Sequence, residues 1–317
     1  MTASKVGRVS QVDQKTYARL QAGCNFINGE VGKLRMRVLL VGVFAFLAAL
    51  FFLLKFRDVD LRVPFAIAFV PTSLVYGHAR KQLKDLYKNI VVKRIVSAIG
   101  TELVYSPFSS FTEAQFNAMD LFNKRAEDLN SEDQVTGHTE VVPFWVHEVK
   151  ATREEGSGRN RRTVVIFKGL IAELDFNKNF QGHTVIVPES EAQILLGLFG
   201  ESESRGQKEI VRLENPEFTK KCAVYSTNDQ EARYIITPKL MELILRAQIV
   251  LDAPLRLCFL NKSLFVVVPQ SRDNFEVAMF GSAVTPENAA GDLAYIIDLA
   301  GKLVLTLDLE TRIWSKV

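Results

Sequence analysis

Two short polar clusters hold the side chains in this chain best suited to chemistry. The first, Asp175-Phe176-Asn177-Lys178-Asn179-Phe180-Gln181-Gly182-His183, offers a carboxylate and an imidazole on one connection. An Asp and a His brought together would make a general acid–base pair. The second, Asn228-Asp229-Gln230-Glu231-Ala232-Arg233-Tyr234, sets Glu231 beside Arg233, a pair able to form a charged site. Simpler readings outweigh both. Phe176 and Phe180 can anchor the first stretch to a core while Gly182 completes its turn. Asn228 or Asp229 can cap a helical turn in the second, with Arg233 in a structural ion pair. The catalytic candidates are therefore Asp175, His183, Glu231 and Arg233, and no others.

Other chemistries find no footing in the sequence. His78, His138, His147 and His183 are scattered, and Cys24, Cys222 and Cys258 lack metal-ligand spacing. Neither a metal nor a cofactor is expected. The phosphate-cradling G-x-x-x-x-G-K-[ST], the dinucleotide G-x-G-x-x-G and the nucleophile-elbow G-x-S-x-G are all missing from the 317 residues. Three widely spaced cysteines also fit a reducing compartment better than a disulfide framework.

The elements that must position these residues start from a membrane anchor. Val38 to Leu54 is an unbroken apolar run, and a second extends from Val63 to Gly77 beyond the polar knot Lys55-Phe56-Arg57-Asp58-Val59-Asp60-Leu61-Arg62. About 20 apolar residues cross the hydrocarbon layer, so the pair reads as a transmembrane helical hairpin. The second run carries Pro64, Pro71, Thr72 and Ser73. It is either a short kinked span or a segment that dips into one leaflet.

Flanking charge sets the orientation. Nine Lys and Arg residues lie just outside the two runs, against three in the connecting loop. The positive-inside rule then places both termini in the cytoplasm, on a two-span protein of the inner membrane. Arg80, Lys81, Lys84 and Lys88 are the expected contacts to anionic headgroups. Residues 1–100 hold 16 Lys/Arg and 5 Asp/Glu, whereas the rest hold 23 and 31. The folded part is acidic, so no nucleic-acid partner is expected.

The chain divides into an N-terminal cytoplasmic helix (1–32), the hairpin (33–78), an amphipathic stalk helix (79–100), a first α+β region (101–200) and a second (201–317). Within them, Val141–Arg153 and Arg162–Asp175 alternate as strands around a polar tip where Arg153, Arg159, Arg161 and Arg162 crowd together. That tip is either a headgroup-binding element or a solvated loop balanced by Glu154 and Glu155. Thr184–Val187, Ile210–Leu213, Lys221–Tyr225, Leu255–Leu260 and Leu264–Val268 are further strands. Helices start at Thr112, at Ala192 and at Thr237-Pro238, and a long one runs from Thr285-Pro286 to about Leu309. The fold class is α+β: a transmembrane helical hairpin followed by a cytoplasmic region with an antiparallel sheet.

Two stretches resemble a known family. They are Phe167-Lys168-Gly169-Leu170 with Phe176 to Phe180, and Leu213-Glu214-Asn215-Pro216-Glu217-Phe218 with Val224 to Thr227 and Glu231 to Pro238. Both are similar to an uncharacterised bacterial family of two-span membrane-anchored proteins, sometimes labelled galanin. Its genes often lie beside those of the membrane protein LemA. The resemblance implies a membrane-associated protein partner and supplies no catalytic residues. The expected function is a membrane-anchored cytoplasmic scaffold or adaptor binding a protein at the inner membrane, with the bilayer itself as second partner. The alternative is an enzyme acting on a membrane-linked substrate. Transport would need several hairpins to associate, so a homo-oligomer stays open.

Overall fold

Residues 14–56, 60–99, 102–138, 142–175, 179–192, 208–270, 275, 279–286 and 297 are described by a computed structural model. Two compact units emerge. One comprises residues 1–100 with 275–291; the other comprises 101–274 with 292–317.

The first unit is built on two long helices. α1 runs unbroken from Gln14 to Lys55, about 63 Å at 1.5 Å per residue, so the expected N-terminal helix and first span are one rod. α2 runs from Arg62 to Tyr87 with Pro71 inside it. A π-helical turn at Lys88–Val92 and α3 at Lys93–Ile99 extend it. The two rods lie antiparallel: Gly42 faces Thr72, Gly23 faces Ile90, and Arg94 donates to the Arg19 carbonyl oxygen at 3.5 Å. Buried positions on α1 fall at Leu20, Cys24, Ile27, Val31, Leu34 and Val38. Their alternating spacing of four and three residues is that of a coiled-coil seam.

The second unit is a nine-stranded sheet in the order β1-β2-β3-β4-β9-β8-β5-β7-β6, antiparallel at every pair. The strands are β1 Val104–Phe108, β2 Asp128–His138, β3 Pro143–Glu155, β4 Arg162–Asp175, β5 Thr184–Pro188, β6 Glu209–Ile210, β7 Cys222–Ser226, β8 Arg256–Leu260 and β9 Ser263–Pro269. The boundary expected near residue 200 does not separate two sheets. β4 pairs with β9, and β5 pairs with both β7 and β8.

One face of the sheet gathers Val149, Ala151, Phe167, Ile171, Val185, Tyr225, Cys258, Phe265 and Val267, the alternate residues of their strands. The segment after β1 covers it. There Thr112 caps α4 (Glu113–Ala118) in a full capping box with Gln115. Phe116 and Phe122 stack at 4.7 Å, and Phe122 meets Phe167 at 5.3 Å. The short helices α5 (Pro216–Thr219) and α6 (Asp229–Ile235) flank β7. α7 (Pro238–Leu251) follows, with Thr237 as its cap and Pro238 at its first position. Gln248 of α7 donates to Cys222 Sγ at 3.4 Å, and Cys222 points to the opposite face from Ala223 and Tyr225.

β2 was not expected. Its sequence, Asp-Leu-Asn-Ser-Glu-Asp-Gln-Val-Thr-Gly-His, is composed like a loop. A bulge absorbs the misfit: the register with β3 slips between Glu132 and Gln134, and Asp133 takes φ +52°. The strand expected at 210–213 shrinks to Glu209–Ile210. The helix expected from Ala192 to Phe199 beyond Ala192 itself, and that beyond Pro286 except at Ile297, lie outside the described residues.

Candidate functional site

β4 and β5 carry the two ends of the first expected cluster, and the sheet separates them. Asp175 closes β4 opposite Ser263, and His183 precedes β5. β9 and β8 lie between those strands. At roughly 4.8 Å per strand spacing, three steps put about 14 Å between Asp175 and His183. They form no acid–base pair. Among the described residues Asp175 Oδ1 is buried without a hydrogen-bond partner, and its charge adds to the burial that raises the pKa of Glu173.

His183 meets other groups. Its Nε2 donates to the Met119 carbonyl oxygen at 3.1 Å and lies 3.4 Å from Cys258 Sγ. Burial first, then the Lys208 charge, pushes the ring's pKa down to about 4. A neutral ring whose Nε2 carries the proton cannot take one from Cys258. Burial also raises the pKa of that thiol, so no nucleophilic thiolate forms. Lys208 and Asp120 beside it make an ion pair at 3.1 Å, with the lysine side chain wholly buried. Nothing local in the sequence links residues 119–120, 183, 208 and 258, so this cluster is a product of tertiary packing alone.

Glu231 lies next to the same loop. Its carboxylate accepts the backbone N–H of Gln181 at 2.9 Å and of Gly182 at 2.5 Å. The two polar clusters of the sequence thus meet, but as carboxylate and backbone. Gly182 is required there, because a Cβ would come 2.7 Å from Asn228 Cβ. Asn228 caps α6 by accepting from Glu231 N at 3.1 Å. Arg233 pairs with Asp229 at 2.8 Å and donates to the Arg212 carbonyl oxygen at 2.6 Å. It does not pair with Glu231.

A second histidine, one of the four scattered in the sequence and not a candidate there, also meets a polar partner. Ser109 Oγ lies 2.8 Å from Nδ1 of His147, which is only 1% exposed. Ser109 already accepts from Ser131 Oγ at 2.6 Å and from Phe111 N at 3.2 Å. Its own proton therefore goes to Nδ1, leaving the Nε2–H tautomer. That nitrogen is buried with no partner among the described residues. A serine–histidine dyad normally has its far nitrogen held by an acid, and this one does not. Burial pushes the His147 pKa down to about 4.

Three arginines of the β3–β4 tip are engaged by acids. Arg153 pairs with Glu127 at 3.3 Å, Arg161 with Glu154, and Arg162 with Glu155 at 3.6 Å. Among the four cations expected at the membrane surface, Arg80 and Lys81 are exposed and Lys84 is half-buried. Lys88 lies within the π-helical turn and is only 7% exposed.

The surface that remains unexplained by folding is on the helices. From Leu39 to Leu54, α1 turns its large side chains outward: Leu40 is 61% exposed, Phe44 76% and Phe51 63%. α2 does the same with Phe65, Phe69 and Leu74. Small residues line the contact instead, since Ala45 and Ala49 are buried and Gly42 meets Thr72. Burying one such large side chain is worth about 1.5–3 kcal/mol. In water this stretch would forgo that gain many times over; in lipid it would not. Among the described residues, one helix, Tyr17–Lys55, is long and apolar enough to cross a membrane. The expected second span lies on α2, which does not meet that criterion.

Residues 165–309 match a family described as "Protein of unknown function (DUF3137)". That match supports an uncharacterised family and assigns no activity. No curated protein matches the chain. Among solved structures, the crystal structure of the mycobacterial trehalose monomycolate transport factor A, TtfA, matches at 11% identity and a TM-score of 0.39. The match covers 71% of this chain and 97% of that one. At that TM-score nothing about this chain follows from it.

Proposed function

We propose that the chain is a membrane-anchored adaptor: the two-helix unit inserts as a hairpin from the cytoplasmic side of the inner membrane, and the sheet unit binds a membrane-associated protein there. One observation carries the anchor. On the side of Val38 nearer the α1 N-terminus the helix pair buries large apolar residues and exposes a mostly polar face, with Phe26 and Met36 the large apolar exceptions; on the other side it exposes large apolar residues and buries small ones. Small residues at the contact are what helix packing in lipid favours, because large apolar groups gain nothing by leaving the hydrocarbon. The adaptor role is supported by the site chemistry. His147 is neutral and buried and His183 neutral and half-buried, the cysteines of the sheet unit have raised pKa values, and Glu231 and Arg233 are engaged in folding contacts.

The test uses introduced cysteines, the three native ones being buried. Leu61→Cys, at an exposed end of α2, should react with an impermeant maleimide from outside intact cells. Gly158→Cys, at the β3–β4 tip, should react only once the membrane is opened. Labelling of Gly158→Cys in intact cells would reverse the orientation, and labelling of neither Leu61→Cys nor Gly158→Cys until lysis would mean the hairpin does not cross.

A further inference from the structure

Residues 279–286 return to the helix pair some 240 positions after α1 and are fastened to it by side chains. Asn28 uses both ends of its amide on Val284, donating to its carbonyl oxygen at 3.0 Å and accepting from its N–H at 2.9 Å. Arg35 donates to the carbonyl oxygens of Met279 and, at 2.9 Å, of Gly281. Met279 and Val284 are buried at 3% and 7% exposure, yet Phe280 between them is 60% exposed. Its ring stacks beside Tyr76 at 6.3 Å, with the Arg35 guanidinium 5.9 Å away.

The level of that ring matters. Gly42 faces Thr72 across the antiparallel pair, so Tyr76, four residues further along α2, stands level with Val38. Val38 is where the unbroken apolar run begins. Around the same level Lys33 and Arg37 of α1 and Arg80 and Lys81 of α2 are exposed. An exposed Phe ring stacked beside a Tyr, between an apolar belt and a group of cations, has the composition of a bilayer interface, where Tyr and Trp rings concentrate and anionic headgroups meet Lys and Arg.

We propose that residues 279–286 form a strap that seats Phe280 in the lipid headgroup–acyl boundary, giving the protein a third membrane contact beside the two helices. The proposal rests on the anchor reading above and adds to it a lipid-facing site remote in sequence from the hairpin. Lipid, rather than a protein partner, is the occupant, because the ring continues the exposed apolar surface of α1 and α2 and shares its cationic border. Arg35 then differs from its neighbours. It holds the strap, while Lys33 and Arg37 face the headgroups.

Spin labels on the full chain in phosphatidylethanolamine–phosphatidylglycerol vesicles test this, the native cysteines being buried. Phe280→Cys is compared with Phe44→Cys in the apolar belt and with Phe108→Cys, 82% exposed on the sheet unit. The ratio of collisions with oxygen to those with an aqueous nickel chelate should be highest at 44, lowest at 108 and several-fold above the latter at 280. Adding Arg35→Gln should free the strap and bring position 280 down to the value at 108. A label at 280 as aqueous as that at 108, with 44 in lipid, overturns the strap and leaves the anchor standing. Aqueous values at 44 overturn both. A lipid value at 280 that survives Arg35→Gln would mean that Arg35 does not hold it, and the strap as drawn is wrong.

Discussion

His147 makes the protein sensitive to acid, and the effect can be worked out from its surroundings. The ring is buried, accepts the Ser109 hydroxyl proton at Nδ1, and has no partner at Nε2. Charging it would place a cation in a 1% exposed site against the Phe111 ring at 5.2 Å. Its pKa therefore falls from 6.5 to about 4 on folding. Below pH 6.5 the unfolded chain takes up a proton that the folded chain refuses, so stability drops until the pH reaches about 4 and then levels off for this group. Between pH 7.5 and pH 5 the loss is about 2 kcal/mol from His147. For a unit of this size that lowers the melting temperature by about 4–8 °C. His183, whose pKa is also pushed down to about 4, adds a similar share. The assay is thermal unfolding of the full chain in nanodiscs, followed by intrinsic fluorescence, since Trp145 lies two residues away on β3. In His147→Leu the orphaned nitrogen disappears and the Ser109 proton loses its acceptor. Those changes oppose each other, so stability at pH 7.5 should move by no more than about 1 kcal/mol. The drop at pH 5 should shrink by roughly half. A variant that matches the wild-type acid profile would refute the account of His147. So would a wild-type melting temperature that stays flat from pH 7.5 to pH 5.

Two other changes separate structural roles from chemical ones. Glu231→Ala removes a carboxylate from two backbone N–H groups and should cost about 2–4 kcal/mol of sheet-unit stability, with Glu231→Gln intermediate. If urea unfolding finds both as stable as wild type while function is lost, Glu231 is chemical and not structural. Gly169→Ala places a Cβ against the Val268 carbonyl oxygen and 2.9 Å from Gln270 N. It should part β4 from β9 and destabilise the sheet by more than about 3 kcal/mol, read as loss of amide protection along both strands in hydrogen exchange.

What the sequence determined by itself was local. The apolar run of α1, the caps at Thr112, Asn228 and Thr237, the β3–β4 hairpin around its polar tip and the continuous apolar run of β9 each follow from residues within a few positions of one another. Short-range sterics and a single buried face suffice to fix such elements. Asn228 could be read as a cap, and Gly182 as a turn, for the same reason. Tertiary structure decided everything that depends on which elements become neighbours. β2 is polar enough to read as a loop and becomes a strand because β1 and β3 supply its ladder on either side. Asp175 and His183, close in sequence, end on strands with two others between them. His183, Cys258, Lys208 and Asp120 share a buried site through contacts that no spacing announces. Asn28 and Arg35 likewise find the backbone of residues 279–284 across the length of the chain. Such contacts form only when the loops between them close and the faces on either side are buried together. Their identity therefore resides in the packing of the whole chain and not in any segment of it.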